Sequence, residues 1–147
     1  MNKIIWILMA FAAGALLPVQ AGLNMKLGKA AGNPVQGAMI SFVVGLTALL
    51  LYILISRQTL SIEGLKTAPA HVWLGGILGA FYVTIIILAY PHLGPSLSFG
   101  LIVAGQMCIS AVMEHYQILG ATHNPINWYK LVGLSLIVIG VIIVRKY

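Results

Sequence analysis

Gln106, Ser110 and Glu114 recur every fourth residue in the stretch QMCISAVMEH, residues 106–115, which closes a long apolar run. On a helix that spacing puts the three side chains on one slowly drifting face. An amide and a hydroxyl there can hydrogen-bond a solute. The carboxylate one turn beyond Ser110 can bind a cation or a proton, with the adjacent His115 shifting the balance near neutral pH. Glu114 has a plainer reading as well, as a solvated carboxylate or the ion-pair partner of Lys130 or Lys66. Glu63 is the only other acid, and the chain has no Asp.

A second group lies near the start. Pro18 cannot donate to the carbonyl of Gly14, so it leaves a weak point between Gly14 and Gly22 and is a candidate hinge. Gln20 and Asn24 follow it four residues apart, on one helix face. Either they line a polar cavity or they wet at a helix end, which suits Asn24 better than Gln20. Tyr82 and Thr84 fall inside another apolar run. Tyr82 can close a cavity by hydrogen bonding or stack on a cation; a core hydroxyl satisfied by a neighbouring helix is the alternative. The candidate substrate contacts are therefore Gln20, Asn24, Tyr82, Gln106 and Ser110, with Glu114 and His115 as the candidate coupling site. Catalysis is not expected. His71, His92, His115 and His123 lie in separate loops or ends, Cys108 is the single cysteine, and neither a phosphate loop nor a metal-spaced pair occurs. No cofactor or metal is expected either.

The elements that carry these residues follow from composition. Of 147 residues, 61% are hydrophobic and 7% charged, with mean hydropathy +1.02, whereas soluble domains carry about 25% charged residues. A soluble fold this short could not hide so much apolar side chain. The fold class is therefore all-α integral membrane, and the bilayer is the first partner. The net charge of +6 comes from basic residues set singly or in pairs between apolar runs, which does not make a nucleic-acid stripe.

A hydrocarbon core of about 30 Å takes roughly 20 helical residues. Five stretches of one domain, residues 1–147, fit: about 4–24, 34–56, 71–90, 95–114 and 128–144. Gln106 then lies near mid-membrane and Glu114 near the far interface. The first stretch imitates a secretory signal, with Lys3, an apolar run and Val19-Gln20-Ala21 before Gly22; the four spans after it favour a transmembrane helix. Lys26, Lys29 and Gly32-Asn33-Pro34 read as the first connection, and Pro91 with Pro95 as a short helical hairpin. Trp6, Trp73, Trp128 and Tyr129 stand near span ends, where such rings favour the interface. Small residues four apart (Gly37, Ser41 and Gly45; Gly75 and Gly79; Gly100 and Ala104) mark faces for close helix packing.

With five spans, Lys3, Arg57, Lys66 and Lys130 fall on one side, and Lys26, Lys29, Arg145 and Lys146 on the other. Orientation follows the excess of Lys and Arg, and here there is none. Such a chain can insert both ways, and two opposed copies can pair as a ten-helix antiparallel dimer. The alternative is that a weak asymmetry, such as the terminal amine, selects one orientation.

Three stretches carry a resemblance: GALLPVQAGLNMKLGKAAGNPVQGAMISFVVG at 14–45, GGILGAFYVTIIILAYPHLGPSLSFGLIVAGQ at 75–106, and EHYQILG from Glu114. They resemble the YdcZ-like family of bacterial inner-membrane proteins, within the drug/metabolite transporter superfamily. The family's usual acid before the His is Asp; Glu114 keeps the charge and changes the geometry. In addition, GLSLIVIGV at 133–141 is similar to the last helix of small multidrug resistance transporters, where glycines one heptad apart form the dimer contact; this implies Gly133 and Gly140. Those transporters carry an essential glutamate in their first helix, and this chain has none there. The resemblances imply a five-helix half of a ten-helix bundle. Its expected activity is alternating-access transport of a small solute by an antiparallel homodimer, an exporter with proton coupling at Glu114. A dual-insertion channel and a non-transporting scaffold subunit are the alternatives. Glu114 hints at cations, while the amides suit neutral or anionic solutes equally.

Overall fold

The protein is seen in a computed structural model that describes residues 2–59 and 61–147. Five helices follow in order: α1 (Lys3–Ala30), α2 (Pro34–Ile55), the single-turn α3 (Glu63–Lys66), α4 (Leu74–Tyr116) and α5 (Trp128–Lys146). No strand occurs among the described residues. α1, α2, α4 and α5 are each long and apolar enough to cross a membrane. Their outer faces present Phe11, Leu54, Ile55 and Phe81. Such a surface fails in water and suits lipid, where burial between helices contributes little and close packing holds the elements together.

Two compact units divide the chain, the first ending at His92 and the second running from Leu93 to Tyr147. In the first, α1 and α2 form a hairpin whose turn is set by local chemistry. Asn33 N–H donates to Gly28 O at 3.0 Å and Gly32 N–H to Lys29 O at 3.2 Å, while Gly32 takes φ +74°. Such a Schellman end needs a residue free of the Cβ penalty at that position. Asn33 then caps α2, its Oδ1 accepting from Val35 N–H at 2.8 Å, and Pro34 occupies the first helical position, where no N–H is needed. The first helix thus extends past residue 24 and carries Lys26 and Lys29 within it, where a connection was expected. The helix ends only where Gly32 takes its positive φ, and lysine stems can reach from its last turns towards water. The helix also continues through Pro18.

α4 is 43 residues long, with one non-helical residue, Gly94, at φ +74° and ψ +166°. The expected break at both prolines is therefore corrected: helix continues through Pro91 and stops at Gly94. Proline disfavours helical geometry in the residue before it, and Gly94, lacking Cβ, yields where Tyr90 before Pro91 does not. Gly94→Ala should cost about 1–3 kcal/mol, the penalty for a side chain at positive φ with extended ψ, a region populated almost only by glycine. Reversible unfolding in mixed micelles measures it; an unchanged midpoint would show that Gly94 is free to leave that conformation.

In the second unit, the segment between α4 and α5 folds back on the helix it leaves. Gln117 and Leu119 adopt φ +55° and +54°, and Asn124 N–H donates to Glu114 O at 3.2 Å. Asn127 caps α5 by accepting from Lys130 N–H at 2.9 Å. Gly100 leaves room for Val141, whose Cγ2 would be 3.1 Å from a Cβ placed there. Not every small residue serves packing within the chain: Gly45, Gly75, Gly133 and Gly140 would carry a Cβ with no neighbour within 4 Å.

Candidate functional site

The second unit holds a polar cluster where α4 meets α5. Glu114 stands in the last turn of α4, and α5 places Lys130 opposite it, Nζ to Oε2 at 2.7 Å. The same ammonium donates to the Asn124 carbonyl at 2.7 Å, so one cation ties together a helix end, the connecting segment and the next helix. The pair is partly open to its surroundings, with side-chain exposures of 22% for Lys130 and 37% for Glu114. A groove of about 220 Å³ runs beside it, lined by Met107, Ser110, Ala111, Glu114, Lys130 and Gly133 among others. Ser110 and Glu114 thus share a groove as their spacing required. Gln106, one turn earlier, is exposed and does not line it.

His115 faces the connecting segment. Its Nδ1 accepts from Ile126 N–H at 3.2 Å, which requires that nitrogen to be unprotonated and assigns the neutral ring's proton to Nε2. The Tyr116 ring stands edge-on to it, with centroids 4.7 Å apart. Neither the Asn124 carbonyl nor the Ile126 amide was legible as part of the cluster, because both are backbone groups brought in by left-handed residues.

Gln20, Asn24 and Tyr82 lie in the first unit. Asn24 is only 6% exposed, contrary to a wetting helix end. It sits where α1 meets α2, and a Cβ on Gly37 would be 3.3 Å from its carbonyl oxygen. Gln20 is exposed and borders two shallow grooves, one of about 410 Å³ with Leu16, Leu23 and Asn24 and one of about 240 Å³ with Ser41, Phe42 and Val83. Pro18 and Tyr82 are half-buried. Thr84 satisfies itself by donating to Ala80 O at 2.8 Å. Sequence reasoning missed Ser98, whose hydroxyl is buried without a hydrogen-bond partner, and Tyr90, whose hydroxyl lies over Gly22.

Among the described residues, no group of three or more His, Cys, Asp or Glu could hold a metal. Long apolar helices with a few polar groups set into them define a multi-pass integral membrane protein. Residues 5–143 match the family described as "Putative inner membrane exporter, YdcZ". The chain belongs to that family of inner-membrane proteins. No curated protein and no solved structure matches it.

Proposed function

We propose that the chain is half of a small-solute exporter that works by alternating access as an antiparallel, dual-topology homodimer. The family match supports export. The observation that carries the dimer is the groove of Ser110, Glu114, Lys130 and Gly133, which lies open on a single copy, on the helix that also carries Gly133 and Gly140, where a Cβ would meet nothing within 4 Å. In lipid such glycines allow close helix approach. α4 supports a five-span count: its 43 residues make about 65 Å of helix, roughly twice a hydrocarbon core, and Gly94 divides it near the middle.

In this reading two opposed copies exchange conformations, so that the inward-open and outward-open states are one structure viewed from opposite faces, as in inverted repeats. Gln20, Asn24, Tyr82, Gln106 and Ser110 contact the solute, Pro18 gives α1 its hinge, and Gly133 with Gly140 forms the dimer contact. A proton arriving at Glu114 removes the charge that holds Lys130, leaving the ammonium with only neutral oxygens to accept from it. Loosening the α4–α5 connection in this way couples protonation to movement, with His115 as neighbour.

A second reading is favoured by the 2.7 Å pair itself: Glu114 and Lys130 clamp the connection without carrying a proton. Flux of small organic cations, neutral amides and organic anions into proteoliposomes bearing a proton gradient tests the transport reading. One class should move saturably and only with the gradient. Unsaturable flux far above transporter rates would indicate a channel, and no flux of any class a scaffold subunit.

A further inference from the structure

The first unit contains a cavity that the proposed transport site does not use. It has a volume of about 360 Å³ and lies between the α1–α2 turn and the first half of α4, with Lys29 and His92 in its wall and Met25, Ile87 and Leu88 beside them. We infer that this cavity is a binding site for an amphipathic anion, whose phosphate or carboxylate meets Lys29 and His92 while its apolar part lies on Met25, Ile87 and Leu88.

Charge accounting supports this class of ligand. Among the described residues, no acid lines the cavity. The chain has only two acids; Glu114 is engaged by Lys130 in the second unit, and Glu63 begins α3. Lys29 makes no ion pair among the described residues. An ammonium and an imidazole facing one space, with no carboxylate of their own, are complemented by an anion from outside. Lysine takes phosphate as a point charge, and imidazole can donate from a ring N–H in either protonation state. The site's depth follows from sequence: Gly28 is buried, and a Cβ there would be 3.3 Å from both Ile87 Cγ2 and Pro34 Cα. Lys26 lies three residues before Lys29 on the same helix and does not line the cavity. A lysine that served only the helix dipole would be interchangeable with Lys26.

An anionic lipid headgroup and a free organic anion present this same chemistry, and the experiment separates them. The protein is taken from nanodiscs of mixed phosphatidylglycerol and phosphatidylcholine, and retained lipid is read by native mass spectrometry. Hexyl phosphate, with hexanol as neutral control, is titrated in detergent. Preferential retention of phosphatidylglycerol, weakened about tenfold by Lys29→Gln and by His92→Gln but kept by Lys26→Gln and Lys29→Arg, supports the site with a lipid source. Equal retention of both lipids, with saturable hexyl phosphate binding that shows the same variant pattern, supports it with a soluble source. No preference for either anion over its neutral control, or equal loss in Lys26→Gln and Lys29→Gln, overturns the inference.

Discussion

Gly37→Ala should separate α1 from α2, while Gly45→Ala, two turns along the same helix, should leave the hairpin intact. A Cβ on Gly37 would stand 2.5 Å from Gly28 Cα and 2.6 Å from its nitrogen, where carbon atoms in contact need about 3.5–4.0 Å. Both obstacles are backbone, so relief requires the helices to part by about 1 Å over their contact. In lipid this packing is the main attraction between helices. Overpacking of this kind costs about 3 kcal/mol, and the better helix propensity of alanine returns about 1 kcal/mol. The net loss is roughly 2 kcal/mol, more than tenfold in the unfolded fraction. At Gly45 the propensity term stands alone, since a Cβ there meets nothing within 4 Å. Steric-trap unfolding in bicelles compares the two variants directly. Equal stabilities would mean that the hairpin does not pack through Gly28 and Gly37.

Glu114→Gln should affect transport far more than stability. The pair with Lys130 is partly exposed, and exposed ion pairs contribute about 0–1 kcal/mol, so the melting temperature should barely move. Its role in coupling is a different quantity. Glutamine can still accept from Lys130 but cannot take up a proton, so the rate should lose its pH dependence. Loss of a charge-assisted hydrogen bond in the working cycle is worth about 1.5–3 kcal/mol, or roughly tenfold to a hundredfold in rate. Proteoliposome flux measured across a pH series reads both effects. An unchanged pH dependence would remove Glu114 from coupling and leave it as a clamp.

The sequence carried the membrane helices clearly, because hydropathy and length are summed over some twenty residues and no single side chain decides them. Their ends were less legible. Lys26 and Lys29 read as loop by charge, yet α1 runs on through both to Ala30, and the positive φ that ends it falls at Gly32, two residues beyond. Likewise Pro91 and Pro95 look equivalent as helix breakers, and the break falls at Gly94 because only there does a residue without Cβ precede the proline. In the candidate site, the four-residue spacing placed Ser110 and Glu114 in one groove. Whether Glu114 would find Lys130 or Lys66 depended on how the α4–α5 connection turns, which rests on left-handed geometry at Gln117 and Leu119, residues that give no such signal. The buried contact of Gly28 with Gly37 was hidden for a related reason: each glycine is ordinary in its own helix, and only the hairpin register makes them meet.

An antiparallel homodimer requires the chain to insert in both orientations. In a Cys108→Ser, Tyr147→Cys variant the only thiol stands at the end of the chain, beyond α5. Labelling it with a membrane-impermeant maleimide, in intact spheroplasts and in inverted inner-membrane vesicles, counts how many copies face each way. Balanced Lys and Arg flanks predict roughly half of the chains labelled in each preparation. Labelling confined to one preparation would contradict the antiparallel homodimer and leave a parallel pair or a different partner in its place.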